Sequence, residues 1–88
     1  MTYDIYSAFG SKVRTKLLLC LEQKSKSVNE LIATCGLSQS AVSQHLAKLK
    51  EARLVKTAKD GKMVYYSLRY RNAATISRQL LTLESEVV

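Results

Sequence analysis

The chain has 88 residues, which is enough for one domain with a single hydrophobic core. Fourteen Lys and Arg against seven Asp and Glu give a net charge of +7, and this excess favours a polyanionic partner, of which nucleic acid is the commonest. With three glycines and no proline the sequence contains no glycine-rich phosphate loop, and its longest apolar run, Leu17 to Leu21, is too short to span a membrane.

The N-terminus and the two cysteines indicate the cellular compartment in which the protein acts. The sequence starts Met-Thr-Tyr-Asp and has neither the basic nor the apolar region of a secretion signal. We therefore expect a cytoplasmic protein whose cysteines, Cys20 and Cys35, are free thiols in a reducing environment.

Three short helices are predicted before residue 37. Apolar side chains at 3, 5, 6 and 9 indicate a helix that ends near Gly10, and Ser11 then caps a second helix that runs to about residue 23. Ser27 and Glu30 have the spacing of a capping box at the start of a third helix. Gly36 ends that helix, since it can adopt the left-handed backbone that a tight turn between two helices requires.

The segment 38–50 is the most informative part of the chain. Val42, Leu46 and Leu49 are spaced i, i+4 and i+7 and form the buried stripe of a fourth helix. The opposite face carries small or hydrogen-bonding side chains and a single charge, which suits insertion into a DNA major groove. Two helices joined by a turn with Gly36 predict a helix-turn-helix. A generic amphipathic helix packed inside a bundle is the alternative interpretation.

A hairpin and a last helix are predicted after residue 52. Asp60-Gly61 lies between two runs rich in β-formers, which is typical of a tight hairpin turn. From about residue 70, apolar side chains recur at helical spacing. The order helix, helix, helix-turn-helix, hairpin, helix predicts a mainly α fold with a β-hairpin wing, a winged helix-turn-helix, which forms one domain over 1–88.

The exposed face of the fourth helix is expected to contact base edges, because amides and hydroxyls can bond them and a Gln can bond adenine in two places. The candidates for these contacts are Gln39, Ser40, Ser43 and Gln44. Lys48 is expected to contact phosphate, and the two lysines at the hairpin tip, Lys59 and Lys62, phosphate or the minor groove, although a hairpin tip can also simply be solvated. His45 lies at the edge of the buried stripe, where it either packs within the protein or contacts the DNA backbone.

The start of the second helix offers an alternative set of phosphate contacts in Lys12, Arg14 and Lys16, although Arg14 could equally brace a helix end or an acidic neighbour. One His, no Ser-His-Asp arrangement and no glycine-rich loop leave no group of residues suited to nucleophilic or phosphoryl chemistry, so we do not expect an enzyme. Two thiols and one imidazole cannot supply the four ligands of a zinc site within one chain, so no metal or other cofactor is expected.

A homodimer is expected, because one recognition helix reads too few bases for a specific site and two would read half-sites about 34 Å apart. The apolar faces of the terminal helices could join two subunits or form intramolecular core. The residues expected at the dimer interface are Tyr3, Ile5, Tyr6, Phe9, Ile76, Leu80 and Leu83.

Four segments, 11–19, 28–33, 38–55 and 64–68, together resemble the ArsR/SmtB family of bacterial and archaeal transcriptional repressors. The third segment, SQSAVSQHLAKLKEARLV, is the most specific of them. The resemblance implies a homodimer whose terminal helices pair and whose two recognition helices enter successive major grooves of double-stranded DNA.

The resemblance does not extend to all of the family's sensing sites. Its metal motif has two cysteines in the third helix, where this chain has Ser27 and Asn29, and its second metal site uses Asp and His on the last helix, which 70–88 lack, so a metal effector is not expected. Cys20 falls where some redox-sensing members carry a reactive cysteine, but their second cysteine near the C-terminus is missing. Arg53 stands at a helix end where the family commonly has Gly, and must accept a strained φ or another turn.

These observations predict a sequence-specific DNA-binding transcriptional regulator, most simply a dimeric repressor that reads the major groove with helix 38–50. Two alternatives stay open. One is a winged helix used as a protein-interaction or assembly module, and the other is a redox-responsive repressor that uses Cys20.

Overall fold

The computed structural model describes residues 4–87, so the predicted interface residue Tyr3 lies outside the described residues. Over this range the chain forms five helices and three strands in a mainly helical fold, as predicted. In chain order they are α1 (Ile5–Phe9), α2 (Lys12–Cys20), β1 (Lys26–Ser27), α3 (Val28–Cys35), α4 (Gln39–Glu51), β2 (Val55–Asp60), β3 (Met63–Leu68) and α5 (Asn72–Val87).

Polar side chains fix the starts of the helices. Ser11 accepts a hydrogen bond from the backbone N–H of Arg14 at 3.3 Å, as its predicted role as a cap requires. At α3 the predicted capping box is complete: the Ser27 hydroxyl accepts from the Glu30 N–H at 3.2 Å, and the Glu30 carboxylate accepts from the Ser27 N–H at 3.0 Å. That second bond holds the pKa of Glu30 below its ordinary value, because it stabilises the charged carboxylate.

Two residues with left-handed backbone mark the ends of α3 and α4. Gly36 has φ 67° and donates its N–H to the carbonyl of Ile32, which closes α3 and starts the turn into α4 as predicted. Arg53 has φ 63° after the end of α4. Of the two options that the sequence left for Arg53, the structure adopts the strained φ, which costs a non-glycine residue about 1 kcal/mol or more.

One apolar core joins the helices to the hairpin. α2 lies in the middle, because α1, α3, α4 and α5 all pack against it. The stripe of α4 that the spacing predicted, Val42, Leu46 and Leu49, is fully buried in this core. The core's other large members are Leu17, Leu18, Leu21, Leu31, Leu54 and Val55.

The sheet has the order β1-β3-β2 with antiparallel pairing throughout. Asp60 pairs with Met63, so a tight turn with Gly61 at φ 63° connects β2 and β3 as the Asp-Gly pair predicted. The sequence did not predict β1, and Ser27 was expected only as the cap of the third helix. Its two residues become a strand only because the far edge of β3 is available to pair with them.

The expectation of free thiols is wrong for this structure. Cys20, the last residue of α2, forms a disulfide with Cys35, the last residue of α3. α2 ends there rather than near residue 23, and the packing of α2 against α3 brings the two ends together. None of the helices described between residues 4 and 87 is both long enough and apolar enough to cross a membrane.

Candidate nucleic-acid interface

The outer face of α4 is the centre of the candidate site. Because the three buried side chains fix the rotation of the helix, the residues on the opposite face point outward. The four residues predicted to contact base edges are all exposed, and they are Gln39, Ser40, Ser43 and Gln44. Ser38 caps the helix by accepting from the N–H of Ala41 at 3.2 Å, and its hydroxyl lies 3.4 Å from that of Ser40.

The wing lies next to this face. Gln39 and Ser43 on α4 and Lys62 at the wing tip line one cleft of about 210 Å³, together with the first residues of α3 and the start of β3. Lys59 and Lys62 are both exposed, so positive charge borders a surface of uncharged amides and hydroxyls. Such a combination can hold a phosphate backbone with the lysines while the uncharged side chains reach bases.

Sequence reasoning missed one polar member of this cleft, Asn29. It is exposed on the first turn of α3 and lines the cleft with Gln39 and Lys62. Nothing in the sequence indicated that Asn29 belongs to this cleft, because a residue within a capping box is normally interpreted as part of the helix start. The pairing of β1 with β3 brings the start of α3 next to the wing.

His45 is half-buried, and its Nδ1 lies 3.1 Å from Nη1 of Arg14. Arg14 is 7% exposed, and it also donates to the carbonyl oxygens of Ser7 and Ala8 at the end of α1. Of the roles that the sequence left open for Arg14, the structure therefore supports that of a brace for a helix end. For His45 it supports hydrogen bonding within the protein.

The other basic candidates differ in their surroundings. Lys12 forms an ion pair with Glu84 of α5 at 2.9 Å, while Lys16 is exposed. Lys48 is half-buried on the last turn of α4. Within the described residues, no three or more His, Cys, Asp or Glu side chains cluster in a way that could hold a metal ion.

Apolar side chains on the terminal helices remain uncovered. On α1, Ile5 is 52% and Tyr6 is 87% exposed, whereas Phe9 is half-buried against the core. On α5 the small residues face inward, and Ile76 and Leu80 are exposed together with Leu83. An apolar groove of about 260 Å³ runs between the two helices, and residues of both line it.

Comparison with known proteins assigns this arrangement to a family. Residues 11–57, which include α2, the helix-turn-helix and the start of the wing, match the family described as bacterial regulatory protein, arsR family. The chain belongs to the arsR family. The family assignment agrees with the resemblance seen in the sequence, and the members it resembles are named as transcriptional regulators rather than enzymes.

Solved structures of regulators share the fold of this arsR-family chain. The transcriptional regulator HlyU from Vibrio vulnificus superimposes with a TM-score of 0.76 at 38% identity, over 90% of this chain and 82% of that one. The transcriptional repressor BigR from Xylella fastidiosa gives a TM-score of 0.78 at 31% identity, over 89% and 80% of the two chains.

A curated relative with a similar sequence is the HTH-type transcriptional regulator KmtR of Mycobacterium tuberculosis, which is 38% identical over 68 residues. The match covers 77% of this chain and 52% of KmtR. This arsR-family chain therefore spans about half the length of the curated relatives it matches.

Proposed function

We propose that this arsR-family chain is a sequence-specific DNA-binding transcriptional regulator that acts in the cytoplasm as a dimeric repressor. In this proposal residues 1–88 form one winged helix-turn-helix domain, α4 reads bases in the major groove, and the terminal helices join two subunits. Binding over a promoter would occlude it. No cofactor, metal effector or membrane takes part.

The observation that carries the proposal is the outer face of α4 beside the wing. A solvated helix face is normally rich in Glu and Lys, whereas the residues here are amides and hydroxyls. Two of them, Gln39 and Ser43, border the same cleft as Lys62, so base contacts and phosphate contacts can form side by side. The net charge of +7 adds a general attraction to the phosphate backbone.

Exposed apolar side chains on α1 and α5 support the homodimer. Ile5, Tyr6, Ile76, Leu80 and Leu83 are all more than a third exposed, although large apolar side chains are usually buried. Pairing of these surfaces would remove them from water and would place two copies of α4 on one DNA duplex. The two half-sites would then lie about 34 Å apart.

The proposal is tested by selecting bound duplexes from a fragment pool and titrating a selected duplex with the protein at several salt concentrations. We expect two chains per duplex, a two-fold symmetric consensus, and a log K that falls linearly with log salt by about 0.9 per phosphate contacted. Failure to bind any fragment at low salt would contradict the proposal, as would an affinity that does not depend on salt.

Replacing Gln44 with alanine is expected to weaken binding to the selected duplex by about 1–3 kcal/mol, because one base contact is lost. Non-specific binding should change little, since Gln44 carries no charge. Gln23→Ala is the matched control, because Gln23 is exposed on the loop after α2 and outside the candidate site. If Gln44→Ala binds DNA as tightly as the native chain does, the result supports the alternative function as a protein-interaction module.

The disulfide favours a second candidate, a repressor whose DNA binding responds to oxidants. Cys35 directly precedes Gly36, so the bond ties α2 to the turn that sets the angle of α4. Two thiols would form the bond by transferring two electrons and two protons to hydrogen peroxide, which is reduced to two water molecules. The DNA affinities of the oxidised and reduced chains separate this candidate from a repressor that does not respond to oxidants.

A further inference from the structure

A single buried guanidinium connects three elements of this fold. Arg14 on α2 donates through Nε to the carbonyl oxygen of Ala8 at 3.2 Å and through Nη2 to that of Ser7 at 2.8 Å. Its Nη1 lies 3.1 Å from Nδ1 of His45 on α4. The rigid fork of the guanidinium allows these bonds at the same time, which a lysine could not provide.

The chemistry of this contact determines the state of His45. A guanidinium has only donors and keeps its protons at any physiological pH, so Nδ1 must accept the hydrogen bond. A ring that accepts at Nδ1 is neutral and carries its proton on Nε2. Arg14 therefore fixes both the charge and the tautomer of a side chain on the recognition helix.

α1 depends on the same guanidinium. It has only five residues, too few for a stable helix by itself, and of its last carbonyl groups that of Ser7 accepts from the N–H of Gly10, just past the helix, at 3.2 Å. Arg14 supplies donors to two of them and places a positive charge at the negative end of the helix. The other side of α1 carries the exposed Ile5 and Tyr6.

We propose that Arg14 is a positioning residue for DNA binding, which couples α1 to the recognition helix by holding His45 as a neutral ring protonated at Nε2. This inference rests on the proposed function, in which α1 contributes to the dimer and α4 reads bases. When a second subunit orders α1, it also orders the contact between Arg14 and His45 that positions α4. Dimerisation should therefore strengthen DNA binding, and DNA binding should strengthen dimerisation.

The electrostatic surroundings of His45 agree with this arrangement. Burial lowers the pKa of His45 below its ordinary value, and the positive charges of Arg14 and Lys48 lower it further. The neutral ring therefore persists at neutral pH. Removal of the Arg14 charge should raise the pKa of His45, and this change can be measured without DNA.

The first experiment is nitrogen-15 NMR of the imidazole in the native chain at neutral pH. We expect the signature of a single tautomer, with a protonated Nε2 and an unprotonated Nδ1. Averaged signals typical of a mixture of tautomers, or a protonated Nδ1, would overturn the proposal. This measurement needs neither a variant nor a DNA partner, so it stands even if the proposed function fails.

The second experiment compares Arg14→Gln with Arg71→Gln, which makes the same change at an exposed position. Arg14→Gln should raise the pKa of His45, mix its tautomers, speed amide exchange in α1 and weaken binding to the selected duplex about tenfold, a coupling of ordinary size between two sites. Arg71→Gln should leave the titration of His45 and the exchange of α1 unchanged. Should Arg14→Gln not fold, Arg14→Met replaces it, because it also removes the charge and the donors while keeping an unbranched side chain, and the same changes are expected.

The combined outcomes are decisive. Weaker DNA binding with an unchanged His45 titration would overturn the proposal, because Arg14 would then act on DNA directly. A changed titration with unchanged DNA affinity would overturn it as well, since the contact would have no effect on reading. If the native chain binds no DNA, the proposed function fails, whereas the imidazole signature and the exchange of α1 still test the contact itself.

Discussion

Reduction of the Cys20–Cys35 disulfide is expected to lower the free energy of unfolding by about 3 kcal/mol, the loop-entropy value for a bridge that closes a loop of about 15 residues. The two cysteines are 15 residues apart in the sequence. Urea unfolding with and without a thiol reductant measures the difference. In Cys35→Ser the reductant should have no effect, because no bridge can form. Equal stability of the native chain with and without reductant would show that the bridge contributes nothing.

DNA binding by the oxidised and reduced forms of the chain shows whether the protein responds to oxidants. If it does, the oxidised and reduced native chains bind the selected duplex with different affinities, and Cys20→Ser binds with one affinity under both conditions. Equal binding by both forms would leave the disulfide a purely structural bond and would remove the redox candidate. The main proposal would stand, because it does not require the bond.

Replacing Leu46 with alanine is expected to lower the free energy of unfolding by about 2–5 kcal/mol, because Leu46 is fully buried where α4 meets the core. In a domain of this size each kcal/mol corresponds to about 4–8 °C in Tm, so much of the native stability would be lost. Thermal unfolding followed by circular dichroism measures the effect.

Lys50→Ala is the control for Leu46→Ala, since Lys50 is exposed on the same helix. We expect this change to alter stability by no more than about 0.5 kcal/mol. If Leu46→Ala unfolded at the temperature of the native chain, the side chain could not be part of a tightly packed core. The rotation of α4 derived from its buried stripe would then be wrong.

The features of the fold that could be predicted from sequence are those that short segments determine. Ser27 and Glu30 form a capping box because they lie three positions apart, and Gly36 and Gly61 can adopt left-handed backbone without steric cost. The spacing of the buried residues in α4 likewise fixed which face points outward. The candidate base contacts followed directly from that face.

The features that sequence reasoning missed depend on contacts between distant segments. β1 exists only through its pairing with β3, and the bond of Cys20 to Cys35 requires two helix ends to meet. The contact of Arg14 with His45 joins residues 31 positions apart. Such a contact leaves no local pattern in the sequence. For Arg14, therefore, the charge alone suggested phosphate contact or a role as a brace.

α5 shows why an apolar stripe does not by itself identify core. The periodic large residues of this helix are exposed, and the buried ones are Ala73, Ala74 and Ser77. The sequence left core and dimer interface as alternatives for this stripe. The exposed side chains are consistent with the dimer, which remains a prediction.

The small buried residues of α5 have a further consequence. Because Ala73, Ala74 and Ser77 occupy little volume, and the Ser77 hydroxyl bonds back to the Ala73 carbonyl at 2.8 Å, the axis of α5 can run close to α2. In a pair of subunits joined through α5, the distance between α5 and α2 would affect the distance between the two copies of α4. The side-chain volume at these three positions would then influence the distance between the two half-sites of the operator. None of the three residues is itself a candidate for DNA contact.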